Sequence, residues 1–329
     1  LTVLSGYLRL LAPVLLLLVW IAVFSSLLRA NKRFIPAEML STHQSIFVIA
    51  LTVSLSARLG VRVLILVFFA YNLWNAGYTA ILSRPYWTLS RGDPFRNPAV
   101  RQMLHMMLPL LAGHSLVYVN QMVDKALVSS LGNGAVTALD YAAVLSNLVG
   151  TFIVTFASML FAYTTAHIAS GDAESAARLT TRTTVVLLVA FVPVSLLTCL
   201  CAEDIVTIVY ARGAFDAESV RVCAQALRGY ALMFVPMIFQ EVYSRFLYGY
   251  RDARRPMINS SVSVVCNIAL SVALCPRLGV LGVAVATSVA SALCGVLNLL
   301  SARRQPPELH CGVLLHTLPW LAVGSAACG

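Results

Sequence analysis

Four residues able to do chemistry sit where the chain offers them little water. Asp124, Lys125, Asp140 and Asn147 all fall within the stretch 102–167, which is apolar enough to cross a bilayer twice. A carboxylate or ammonium held in hydrocarbon costs roughly 3 kcal/mol or more unless it is paired or faces water, so such groups mark a pathway or a ligand site. Asp124 and Lys125 are adjacent and point about 100 degrees apart on a helix, so they need not pair with each other. Lining a cavity, pairing between helices or lobes, and sitting at a helix end near the membrane interface are all open to them. Asp140 lies just after Gly134, at a cavity or at the membrane interface. Glu241, deep in another apolar run, is the candidate for a proton- or cation-linked group, and Arg9 and Arg228 also lie within apolar runs. The chemistry these residues suggest is binding and translocation. No Ser/His, His/Glu metal or Asp-rich phosphate motif stands at usable spacing, so an intramembrane enzyme is the least favoured class.

The elements that must position these groups are membrane helices. The chain is 59% hydrophobic and 11% charged, with a mean hydropathy of +0.84, against roughly 45 to 50% apolar and about 25% charged for soluble domains. This predicts an all-α polytopic membrane protein. A net charge of +10 then belongs to loops and helix ends, where it acts on topology and anionic lipid, and no nucleic-acid partner is expected. Eight cysteines lie mostly in apolar runs without CxxC or His spacing, which predicts small buried hydrophobes and no metal site. No cofactor is expected, although coupling to the membrane potential or to a cation is.

About 20 apolar residues per crossing gives nine spans and the start of a tenth. They are expected near 1–28, 36–57, 61–82, two across 102–167, one from 178 to 202, 220–250, 256–275 and 278–300. Gly132-Asn-Gly134 is the turn between the two central spans, and 205–210 is an amphipathic piece. The Pro- and Arg-rich loop 83–101 marks a boundary between halves. Connectors after odd-numbered spans hold the larger share of Arg and Lys, which puts them in the cytoplasm. The chain begins at Leu1 in an apolar run and ends at Gly329 in another, so both termini are expected to be truncations. The halves also echo each other: Asn31-Lys-Arg-Phe-Ile-Pro36 and Arg251-Asp-Ala-Arg-Arg-Pro256 lie about 220 residues apart, each followed by a span, a Leu-Gly-Val turn and another span. Such a parallel repeat is typical of transporters built from two related bundles.

Four segments carry a resemblance. Val123-Asp-Lys with Leu139-Asp-Tyr-Ala142, the loop Tyr210-Ala-Arg-Gly-Ala-Phe-Asp216, the exit 246–256 and the turn 278–288 resemble the MurJ (MviN) lipid II flippases of the multidrug and polysaccharide exporter superfamily. The loop residues Arg212, Gly213, Phe215 and Asp216 are the most family-specific. The resemblance implies fourteen helices in two lobes. Residues 1–101 would hold the last three spans of the first lobe and the interlobe loop, 102–304 the six spans of the second, and 305–329 the start of an additional helix. It further implies a monomer in the bacterial cytoplasmic membrane that moves a lipid-linked peptidoglycan precursor between leaflets for cell-wall biogenesis. Asp124, Lys125, Asp140, Tyr141, Asn147, Arg228, Glu241 and Arg9 are the candidate cavity residues.

One departure stands out. The family usually carries a cavity-facing Arg shortly after the Tyr-Ala pair, and here the position holds Val144. Arginines are the natural partners of a pyrophosphate, and Arg228 and Arg9 would compensate if they pointed inward. The alternatives are an ion-coupled drug exporter, a flippase for another lipid-linked oligosaccharide, and a non-transporting scaffold.

Overall fold

The computed structural model describes residues 2–31, 33–59, 62–87, 98–132, 134–213 and 215–305. Among these residues the regular structure is all helical. Eleven α-helices follow in order: α1 (Thr2–Ala30), α2 (Phe34–Leu59), α3 (Arg62–Ser83), α4 (Pro98–Ser129), α5 (Ala135–Ala169), α6 (Ala173–Leu200), α7 (Ala202–Tyr210), α8 (Ala217–Ala231), α9 (Phe234–Gly249), α10 (Arg254–Leu278) and α11 (Val280–Ala302). Five of them are long and apolar enough to cross a membrane, and α8 with α9 makes a sixth, bent span. The remaining expected spans, α1, α2 and α4, run partly through residues whose side chains lie outside the description, Arg9 among them. Large apolar side chains such as Leu16, Phe152 and Val265 are more than 60% exposed along these helices, as a lipid-facing surface requires.

The chain divides into two compact units, residues 1–97 and 98–329. In the first, α3 packs against both α1 and α2. It buries Asn72, Asn75 and Thr79 on one face. The Asn72 amide donates to the Phe68 carbonyl at 2.7 Å and the Thr79 hydroxyl to that of Asn75 at 2.8 Å, so these polar groups meet the backbone of their own helix.

In the second unit the α8–α9 column is central, touched by α5, α6 and α11, while α10 covers α11 and α4 lies on α10 and α5. Small residues set the approach of α8 to α11. A Cβ on Gly229 would lie 2.5 Å from the Ala284 Cβ, so the backbones meet at a distance only glycine allows. Phe234, Ile238, Val242, Tyr243 and Phe246 of α9 fill the interior below this contact. In the repeat, α10 and α11 have 25 and 23 residues against 26 and 22 for α2 and α3.

Three boundaries differ from the sequence reading. The span expected over 220–250 is broken at Leu232–Met233, and its halves meet at 42°. Pro236 in the first turn of α9 has no N–H to give the Leu232 carbonyl and its ring crowds that group, which accounts for the bend at this point. The connector expected over 169–178 is shorter, because the Asp172 carboxylate accepts the Ser175 N–H at 3.0 Å and starts α6 at Ala173. The loop after α3 also ends early, with Pro98 opening α4, a first-turn position where proline loses nothing.

Candidate functional site

The hairpin of α4 and α5 carries the site. Its turn needs left-handed backbone at Gly132 (φ 123°) and Gly134 (φ 88°), which glycine adopts without strain. The two helices then run back along each other, so that 124, 125, 140, 144 and 147 face one space. That space is a cavity of about 500 Å³ between α4, α5, the α8–α9 bend and α11, lined by Asp124, Lys125, Asp140, Val144, Asn147 and Tyr230, among others.

Lys125 does not pair with its neighbour. Its Nζ meets both Asp140 oxygens, at 3.0 and 3.1 Å, and ties α4 to α5 at the cavity rim with both side chains about half exposed. Asp124 turns inward and is 8% exposed. Its Oδ2 accepts from Asn120 Nδ2 at 3.1 Å, while its Oδ1 and the Asn120 Oδ1 are both buried without a hydrogen-bond partner. Beside them the Ser271 hydroxyl of α10 faces the carboxylate and donates to Asn267 Oδ1 at 3.1 Å, and the Asn267 amide donates to Thr287 Oγ1 at 3.4 Å. Two acceptors on one face of α4 thus stand beside the Ser271 hydroxyl of α10, and Thr287 of α11 lines the same cavity. Asn120, Asn267, Ser271 and Thr287 were missed in the sequence. Each is an ordinary polar residue, and the readable signals were Asn120-x-x-x-Asp124 and Asn267-x-x-x-Ser271, each one turn apart in an apolar span.

The other sequence candidates lie elsewhere. Tyr141 faces away from the cavity's lining and stacks on Tyr210 at 4.7 Å, with Phe215 at 5.8 Å. The Tyr210 hydroxyl donates to the Tyr141 carbonyl at 3.3 Å. Arg212 donates to the Ile208 carbonyl at 3.3 Å, Gly213 takes φ 61°, and Asp216 caps α8 through the Ser219 N–H at 2.9 Å. Hydrogen bonds from the Ser219 side chain and backbone hold the Asp216 carboxyl below its usual range. This motif clasps the α7–α8 turn to the outer end of α5, next to Asp140. Arg228 meets Glu203 of α7 at 3.7 Å. Glu241 pairs with Arg245 one turn on, and both line a second cavity, of about 360 Å³. Arg245 was also missed, though a Glu-x-x-x-Arg pair inside a span is a readable signal.

Comparison with known proteins places this geometry. The fold matches a solved lipid II flippase MurJ in an inward closed conformation with a TM-score of 0.79, at 21% identity, over 97% of this chain and 67% of that one. It matches an inward-facing multidrug resistance MATE family transporter with a TM-score of 0.74, at 16% identity, over 90% and 70%. A helical bundle with charged groups around a cavity inside apolar spans therefore has the two-lobe fold of membrane transporters. The sequence profile of the family described as lipid II flippase MurJ matches residues 2–327. The chain belongs to that family. A probable lipid II flippase MurJ of Treponema pallidum is 24% identical over 86% of this chain and 55% of its own length. One of Rhizobium tropici is 26% identical over 72% and 44%. The chain thus spans about half the length of the curated relatives it matches.

Proposed function

We propose that the protein is a lipid II flippase of the bacterial cytoplasmic membrane, working as a monomer by alternating access between two lobes. Residues 102–304 are then the second lobe, residues 1–101 the end of the first with the interlobe loop, and 305–329 the start of an additional helix. The observation that carries the reading is the charged cavity on α4 and α5, set in apolar spans of a chain whose whole length matches the family. A pyrophosphate and sugar head group cannot cross hydrocarbon unaided, and such a cavity gives it a polar path. The Lys125–Asp140 pair at the rim offers charge-assisted hydrogen bonds to that head group. Asp124 with its unpartnered oxygen supplies the coupling site for a cation or proton, which replaces the missing hydrogen bonds while bound.

The test is growth of cells depleted of their own lipid II flippase and supplied with the full-length gene. Rescue supports the reading; lysis with the protein well inserted sinks it. One observation favours a second reading, an ion-coupled exporter of another cargo: Val144 is 53% exposed in the cavity where the family pattern has an arginine. Failed rescue together with cation-dependent drug efflux would select it.

A further inference from the structure

The second cavity lies between the last turns of α9 and α11, the first turns of α10 and the distal half of α5, on the side that the basic segments 251–255 and 303–304 assign to the cytoplasm. It is not continuous in lining with the Asp124 cavity and shares no residue with it. Arg245 and Glu241 are 17% and 20% exposed there, among the least exposed charges described. Three bonds hold the guanidinium: to the Glu241 carboxylate, to the Glu241 carbonyl at 3.2 Å, and to Ser158 Oγ of α5 at 3.2 Å. They use three of its five donors. Gln240 and Tyr248 line the same space, and Ser291 occupies the Gln240 carbonyl oxygen at 2.9 Å, which turns the amide's donors to other uses.

A shielded pair of this kind is weak support for stability, since a well-packed apolar pair would serve as well. Its chemistry is that of an anion site closed by an internal carboxylate. Guanidinium, amide and phenol groups line one space, and the group now bonded to one arm of the guanidinium is an oxyanion, Glu241. We propose that this cavity binds a phosphate or diphosphate anion on Arg245 in exchange for Glu241, which takes up one proton from water as the anion enters. The ionisable groups facing Glu241 among the described residues are Arg245 and Tyr248 on α9 and Cys294 on α11. From α5 and α10 the facing groups are Ser158, Phe161 and Ser260, which carry no charge. A neutral Glu241 leaves the guanidinium as the one full charge in this set, free to form a bidentate pair with phosphate. The idea deepens the flippase reading, since it gives the diphosphate of a lipid-linked cargo a docking point on the cytoplasmic side before it reaches the Asp124 cavity.

The experiment is calorimetric titration of the purified full-length protein with inorganic pyrophosphate between about pH 5 and about pH 8. Wild type should bind more weakly as pH rises, because binding that takes up a proton loses strength as protons become scarcer. Glu241→Gln should bind tightly with no pH dependence beyond that of the ligand itself, which is common to all variants. The neutral pair Glu241→Gln with Arg245→Gln keeps the cavity uncharged, so it serves as the folding control, and it should bind about tenfold more weakly or worse than Glu241→Gln alone. Competition by phosphatidylglycerol nanodiscs would identify a lipid phosphate as the natural source, and its absence a cargo diphosphate; both support the site. Equal binding by wild type, Glu241→Gln and the double variant overturns it. That outcome is distinct from failed growth rescue, which would remove the cargo and leave pyrophosphate binding intact.

Discussion

Asp124→Asn separates a functional carboxylate from a structural one. In the native protein the Asn120 amide bonds one carboxylate oxygen at 3.1 Å, and the other is buried without a partner. Leaving a buried acceptor unsatisfied costs about 1–3 kcal/mol. Asparagine keeps an oxygen for Asn120 and puts an amide where Ser271 faces the carboxylate, so folding should change by no more than about 1 kcal/mol. Alanine instead strands the Asn120 donor and should lose about 1–3 kcal/mol. Both should abolish transport, since neither offers a carboxylate to balance a cation's charge or to take up a proton. The assays are thermal unfolding of the purified full-length protein and growth rescue normalised to the inserted amount. An Asp124→Asn variant that is less stable by more than about 1 kcal/mol and still transports would refute the reasoning, because the carboxylate would then be a structural hydrogen-bond acceptor.

Three further outcomes follow from the same geometry. Reversing the rim pair, Lys125→Asp with Asp140→Lys, should recover the roughly 0.2–1 kcal/mol of coupling expected for a half-exposed pair, yet leave transport impaired; recovery of transport would reduce the pair to a strap between α4 and α5. Gly229→Val drives a side chain into Ala284, where even a Cβ stands at 2.5 Å, and should cost about 1–3 kcal/mol or more in unfolding scans. The Asp216 cap has a lowered pKa, so its stabilisation is complete above the usual 3.8 and disappears as pH falls through the lower folded value. The Ser219 amide should therefore lose its protection, relative to the intrinsic exchange rate at each pH, only in acid, whereas Asp216→Ala should lack that protection at neutral pH too.

Much of this was readable because membrane helices announce themselves by length and apolarity. The hairpin was legible in Gly132 and Gly134, and Asp124, Lys125, Asp140 and Asn147 were legible as charges or amides in hydrocarbon. The break before α9 was not, because Pro236 reads equally well as a tolerated kink within one span. Partners across helices were hidden as well. Nothing in the sequence says that Lys125 meets Asp140 at the rim while Asp124 turns inward, since adjacent residues diverge by about 100 degrees and only packing decides which faces inward. Tyr141 illustrates the limit: placed beside Asp140 in the chain, it stacks on Tyr210 and Phe215 instead of facing the cavity. The Ser271, Asn267 and Thr287 cluster needed α10 and α11 to be laid against α4 before it became a site.

The most direct measurement of the central claim reconstitutes the purified full-length protein in liposomes carrying fluorescent lipid II in the inner leaflet and follows its arrival outside. Wild type should transfer it under an imposed cation gradient, and the fully folded Asp124→Asn variant should not. Equal arrival with wild type, variant and protein-free liposomes would contradict the account.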